Sequence, residues 1–147
     1  MTKSGTGYDI APLSPERRDE LAGDLSVEER QVILDHGTER PFCGTLLNNK
    51  SAGVYVCRLC GLPLFRSDEK FESGTGWPSF TRPFDPDHIR EIEDRSYGMV
   101  RIEARCARCD GHLGHVFPDG PPPTGLRYCL NSVSMRFQAY GEEAAAG

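Results

Sequence analysis

The chain has 147 residues, with 17 Lys and Arg against 22 Asp and Glu, for a formal net charge of -5 at pH 7. That length is one domain of the usual ~100–200 residues, and it can bury a core without covalent staples. The acidic balance argues against a binder held to nucleic acid mainly by charge, a composition of 37% hydrophobic and 27% charged residues excludes disorder, and no apolar run approaches the ~18 residues of a membrane-spanning helix.

Residues 1–12 read as a flexible leader, polar and glycine-rich over residues 1–9 and without an apolar stretch of the signal-peptide kind, so the expected location is cytoplasmic. Residues 13–140 form the single domain and 141–147 a flexible tail. Eight acids against four bases in residues 1–36 put most of the negative charge on a solvated N-terminal flank. Ser14-Pro15 starts a helix, with Ser at the cap and Pro in the first turn. Ser26 and Glu29 fit a capping box, which predicts a second helix to about Asp35 with Gly37 past its end. From Gly53 onward the pattern is strands and loops. Val54-Tyr55-Val56 enters a Cys-x-x-Cys and Leu62 to Phe65 leaves it. Tyr97 to Ala104 alternates Val100, Ile102 and Ala104 against Met99, Arg101 and Glu103, which predicts a half-buried strand. The sum is a mainly β, mostly antiparallel domain with short N-terminal helices.

Six cysteines carry the chemistry. Cys57 and Cys60 form one Cys-x-x-Cys, and Cys106 and Cys109 form another. A single such pair reads as a redox dithiol. Two pairs supply the four thiolates of a tetrahedral zinc site with no open position, hence a structural one. Gly61 allows the left-handed backbone that such a knuckle needs, and Asp110-Gly111 offers similar freedom. Cys43 and Cys129 lack partners of this kind. Residues 125–137 end in a clean alternation, with Val133, Met135 and Phe137 against Ser132, Ser134 and Arg136, so this segment reads as a half-buried strand. The same period places Arg127, Cys129 and Asn131 on one face, where a cation beside a thiol favours the nucleophilic thiolate. His112 and His115, with Gly111 and Gly114 around them, are candidate acid–base groups. Trp77, the one tryptophan, sits in a Gly- and Pro-rich loop, as a satellite of the core or as the wall of an apolar pocket.

Taken in order, Cys-x-x-Cys, Gly-Trp-Pro-Ser-Phe at 76–80, a second Cys-x-x-Cys, Gly-His-Leu-Gly-His-Val-Phe at 111–117 and Arg-Tyr-Cys-Leu-Asn-Ser at 127–132 resemble a methionine-R-sulfoxide reductase of the MsrB type, from about Ser26 to Phe137. The resemblance implies two antiparallel β-sheets and a four-cysteine zinc site away from the reaction centre. It implies that Cys129 attacks the sulfoxide sulfur, becomes a sulfenic acid and releases methionine. His115 and His112 would serve the sulfoxide oxygen, Asn131 and Arg127 would flank the thiol, and Asp119 would orient Arg127. Trp77, with Phe80 of the same motif, would bind the substrate, packing on its S-methyl group. Methionine-R-sulfoxide, free or in proteins, would be the substrate, thioredoxin the reductant, and a monomer the expected state.

One position departs from the family pattern. Many relatives carry a resolving cysteine before the Gly-Trp-Pro-Ser-Phe motif, where this chain has Thr75. The resemblance leaves Cys43 as the candidate resolver, with direct reduction of Cys129 by an external thiol as the other route. Two further readings stay open: a zinc-ribbon-like binding module without chemistry, and a thiol peroxidase using Cys129. The first gives no role to Cys129, His112, His115, Asn131 and Trp77, and the second gives none to Trp77.

Overall fold

Two short helices open the fold, and each begins where its cap demands. The computed structural model describes residues 3–40, 44, 46–95 and 98–139. In α1, Pro15–Ala22, the Ser14 hydroxyl accepts from the Arg17 N–H and Pro15 occupies the first turn. In α2, Val27–Ile33, both halves of the Ser26–Glu29 capping box are made. The helix stops two residues short of Asp35. The Gly37 N–H then reaches back to the Gln31 carbonyl, and the left-handed residue of the turn is His36 (φ 60°), not a glycine.

Among the described residues nine strands follow: β1 (Gly53–Cys57), β2 (Pro63–Arg66), β3 (Lys70–Phe71), β4 (Ser79–Phe80), β5 (Ile89–Asp94), β6 (Arg101–Cys106), β7 (His112–Phe117), β8 (Arg127–Leu130) and β9 (Met135–Ala139). They form two antiparallel sheets, as the resemblance implies. One has the order β2-β1-β9 and the other β3-β4-β8-β7-β6-β5. The apolar faces meet in a core of fully buried Tyr55, Leu64, Phe65, Phe80, Leu113 and Leu130. Phe65 stacks on Phe80 at 4.6 Å, and Tyr55 meets Phe80 edge-on at 5.1 Å.

Three expectations change. The strand read from residue 97 begins at Arg101, and Val100 is 65% exposed. On that strand Glu103, assigned to the solvent face by alternation, is buried, because hydrogen bonds satisfy its carboxylate there. The strand read across 125–137 is two strands in different sheets, joined by a 3-10 turn over Ser132–Ser134. In that turn the serines are the buried residues. Ser134 Oγ donates to the His112 carbonyl and Ser132 Oγ accepts from the Leu46 N–H. Polar side chains with partners go inside as readily as apolar ones, and a period-2 pattern cannot see the partner. Residues 4–8 pack on the 85–88 turn. Ser4 is buried with its hydroxyl 2.8 Å from His88 Nε2, and the Thr6 N–H and hydroxyl both donate to Asp85.

Candidate active site and metal centre

Each Cys-x-x-Cys closes a tight knuckle between two strands, and the two knuckles are built alike. The Gly61 N–H donates to the Cys57 carbonyl and the Asp110 N–H to the Cys106 carbonyl, both at 2.9 Å. The residue after the second cysteine is left-handed in each, Gly61 at φ 82° and Asp110 at φ 62°. Aspartate is among the few side chains that tolerate this region, so the freedom expected at Asp110-Gly111 is used one residue earlier, at Asp110. The helices brace both knuckles. Arg18 of α1 donates to the Cys109 carbonyl at 2.7 Å, and Arg58 donates to Glu29 of α2 at 2.7 Å.

The four sulfurs converge within 4.8 Å of one another, with Cys57–Cys109 at 3.5 Å and Cys60–Cys106 at 3.4 Å. Four sulfurs at ~2.3 Å from a tetrahedral zinc ion would stand about 3.8 Å apart, so the cluster fits a metal after a small expansion. Its electrostatics point the same way. Neighbouring thiols donating to Cys57 push its pKa far down, while Cys106 is pushed up by its neighbours. One thiolate forms readily here, and four require a cation among them.

Cys129 lies on β8 at the mouth of a 220 Å³ cavity shared with Thr38, Thr75, Trp77, Phe117, Arg127 and Asn131. The expected alternation of Arg127, Cys129 and Asn131 along one face is observed. Register explains the rest of the wall. β8 pairs with β7 so that Cys129 faces His115 and Arg127 faces Phe117. Gly114 sits opposite Leu130, and any Cβ there would fall 2.0 Å from the Cys129 carbonyl oxygen, so only glycine lets the two strands pair this closely. Arg127 is fixed from two sides. Its guanidinium lies 4.3 Å from the Phe117 ring centre and makes a two-pronged pair with Asp119 at 2.9 and 3.1 Å.

Burial pushes the Cys129 thiol above its ordinary range. The Thr75 hydroxyl, 3.8 Å from Sγ, and the Arg127 charge pull it back only in part. The reaction rate should therefore rise with pH as the thiol ionises and level off above its pKa. Arg127→Gln removes a charge that lowers this pKa, so the rise should move to higher pH. Each unit of displacement cuts the thiolate fraction at neutral pH about tenfold. A pH profile of single-turnover rates checks this, and an unmoved profile would remove Arg127 from thiol activation.

Sequence reasoning missed the residue that ties this cavity together. Glu39 is buried, and its carbonyl accepts from Trp77 Nε1 at 2.9 Å. Its N–H donates to Asn131 Oδ1 at 2.9 Å, and its carboxylate accepts from the Val133 N–H at 3.0 Å. Glu39 thus sets both Trp77 and Asn131. Its signal, a charged residue in an otherwise unremarked loop, is invisible until the fold brings partners from more than 90 positions away. Phe117 was also missed as a wall of the cavity.

Phe80 is a correction. Its ring is fully buried between Phe65 and Tyr55 and does not line the cavity. Cutting such a ring back to alanine costs about 3–5 kcal/mol of stability, so its role is in the core rather than on the substrate.

His112 and His115 line the neighbouring cavity, of 530 Å³, which shares Thr38 with the first. His115 Nε2 donates to Asp94 at 2.8 Å. Glu103 accepts from His112 Nδ1 and His36 Nδ1 on the same oxygen, both at 2.7 Å. Burial works to raise the Glu103 carboxyl, but bonds from Arg105, His36 and His112 outweigh it and hold it at about 2. An ionised carboxylate only accepts, so both rings carry their proton on Nδ1. Burial also lowers the His112 pKa, which leaves its Nε2 a bare acceptor, enclosed and without a partner among the described residues. The structure thus brings Arg127, Cys129, Asn131 and Trp77 into one cavity, and places the histidines beside it. Cys43 lies outside the described residues.

The family model described as SelR domain matches residues 25–139. The chain is 62% identical over 140 residues to the peptide methionine sulfoxide reductase MsrB of Caulobacter vibrioides, covering 95% of this chain and 88% of the relative. It is 60% identical over 130 residues to the protein of the same name from Xylella fastidiosa, covering 88% of this chain and 84% of the relative.

Proposed function

The chain belongs to the MsrB family of peptide methionine sulfoxide reductases, and from that premise we propose how its own residues carry the reaction. It is an oxidoreductase that reduces methionine sulfoxide by thiol chemistry. The observation that carries the reading is Cys129, set in a cavity walled by the rings of Trp77 and Phe117 and flanked by Arg127 and Asn131. The rings give an apolar seat to the S-methyl group of the R epimer. The Cys129 thiolate attacks the sulfoxide sulfur, and the sulfoxide oxygen takes up a proton. His115, opposite Cys129 in the strand register, or His112 beside it supplies that proton directly or through water. The oxygen ends on Cys129 as a sulfenic acid and methionine leaves, so the cysteine sulfur loses the two electrons that the methionine sulfur gains. Asp119 acts through Arg127.

Cys43 then attacks the sulfenic acid, water leaves, and the Cys43–Cys129 disulfide is reduced by thioredoxin. The metal held by Cys57, Cys60, Cys106 and Cys109 is one structural zinc ion. It takes no part in the reaction and joins the two knuckles. The protein works as a cytoplasmic monomer on free and protein-bound methionine-R-sulfoxide. No described helix is long and apolar enough to cross a membrane.

The resolving step has a direct test. Cys43→Ser should slow recycling by thioredoxin while leaving the first turnover intact, and equal recycling would assign the step to an external thiol. Thr75 offers the converse. Its hydroxyl already stands 3.8 Å from Cys129 Sγ, so Thr75→Cys should form a disulfide with Cys129 after one turnover, seen as a linked peptide without reduction. Absence of that link would mean that the loop cannot close the last distance to a sulfur–sulfur bond of ~2.05 Å.

A further inference from the structure

The 530 Å³ cavity beside Cys129 holds a donor set of which the proposed reaction uses only His112. His36 Nδ1, His112 Nδ1 and Glu103 Oε2 lie within 4.8 Å of one another. Two imidazoles and a carboxylate with open positions are a ligand set for zinc and its first-row neighbours, and a poor one for magnesium. The set is built rather than incidental. The His112 side chain is only 2% exposed and presents Nδ1 to Glu103, which is held in place through its other oxygen by Arg105 at 2.9 Å. The His36 side chain, 43% exposed, stands at the entrance.

We propose that His36, Glu103 and His112 form a second divalent-cation site, for zinc-class ions, whose occupation shuts off the reductase. Each ring binds the ion as the neutral tautomer that carries its proton on Nε2, which frees the Nδ1 lone pair for the metal. The nitrogen–oxygen separations, now 2.7 Å, must open to about 3.4 Å around an ion with bonds of ~2.0–2.2 Å. His36 can make that movement, since its ring reaches solvent and it sits in a turn. The cavity leaves room for water to complete the coordination. Arg101 and Arg105 share it with Glu103 and Asp94, so the local charge is near balance, and this site binds more weakly than the four cysteines. Inhibition rests on the role proposed for His112 and His115. An ion on His112 fixes its tautomer and takes the space from which a proton reaches the sulfoxide oxygen.

Calorimetry of the zinc-loaded, reduced protein titrated with zinc chloride tests the site. One further ion per chain is expected, retained in Cys129→Ser. It should bind at least about tenfold more weakly in His36→Asn, since loss of an outer-shell partner alone costs 10–100-fold. Asparagine suits the left-handed backbone at position 36, so that variant keeps the fold. In a single turnover by pre-reduced enzyme freed of added thiol, zinc should suppress methionine formation by the unaltered protein, and His36→Asn should need at least tenfold more. No further ion overturns the proposal, as does an ion that fully bound protein tolerates without loss of turnover. An ion lost in Cys129→Ser but kept in His36→Asn also overturns it, by placing the metal on the nucleophile. Methionine formation by the same zinc-loaded protein without added zinc chloride reads the reductase assignment separately.

Discussion

Cys129→Ser is expected to fold with both knuckles intact and to form no methionine from methionine-R-sulfoxide, with any reductant. The residue stands on β8, a strand paired on both sides, and its side chain is only partly enclosed by the cavity. Exchange of sulfur for oxygen therefore costs little in packing. What it removes is the nucleophile. A serine hydroxyl here has no base among the described residues that line the cavity, where the flanking groups are a guanidinium, an amide and the Thr75 hydroxyl, and its own pKa lies far above that of a thiol. Arg127 can stabilise an anion and cannot take a proton, since its own pKa is raised further by Asp119. The loss should thus be complete rather than graded. Intact-mass measurement after exposure to the sulfoxide gives a second readout: one added oxygen on the Cys43→Ser protein and none on Cys129→Ser.

Loss of the metal should act on stability instead. Cys57 ends β1 and Cys60 sits in the turn to β2 of the three-stranded sheet, while Cys106 ends β6 and Cys109 sits in the turn to β7 of the six-stranded one. An ion bound to all four ties the sheets together, and α1 and α2 hold on to the same two turns. Removing it leaves four thiols crowded within 4.8 Å with nothing to hold them there. Structural zinc in small domains contributes an apparent ~10–16 kcal/mol, comparable with the whole stability of a domain at 5–15 kcal/mol. Even about 5 kcal/mol lost would lower the melting temperature by about 10–20 °C for a chain of this size. Cys106→Ser, or treatment with a strong chelator, is therefore expected to lower the melting temperature by at least that much and to release one zinc per chain. An unchanged melting curve after complete zinc release would contradict a structural role.

The elements legible in the sequence were those fixed by local chemistry. Ser14, Pro15 and the Ser26–Glu29 box locate the helix starts because a cap acts within one turn. The two Cys-x-x-Cys knuckles were legible because their geometry needs only four or five residues. The face shared by Arg127, Cys129 and Asn131 followed from the strand period. What stayed hidden depends on distant partners. Glu103 and Ser134 break the polar-out rule because His36, His112 and the 112 carbonyl wait for them inside. Phe80 reads as part of a binding motif, yet its side chain takes the core face while Trp77 turns towards Glu39 and the cavity. The carboxylates that hold the two histidines, Asp94 and Glu103, come from β5 and β6. No spacing in the sequence joins them to residues 112–115.

On the function proposed above, Cys129 reduces one epimer of methionine sulfoxide in the cavity of Trp77 and Phe117. The most direct measurement is turnover of the separated R and S epimers of a blocked methionine sulfoxide, with dithiothreitol and with thioredoxin, by the unaltered protein and by Cys129→Ser. Reduction of the R epimer alone, lost in the variant, is the predicted result. Turnover of neither epimer by folded, zinc-loaded protein, or equal turnover by Cys129→Ser, would contradict it.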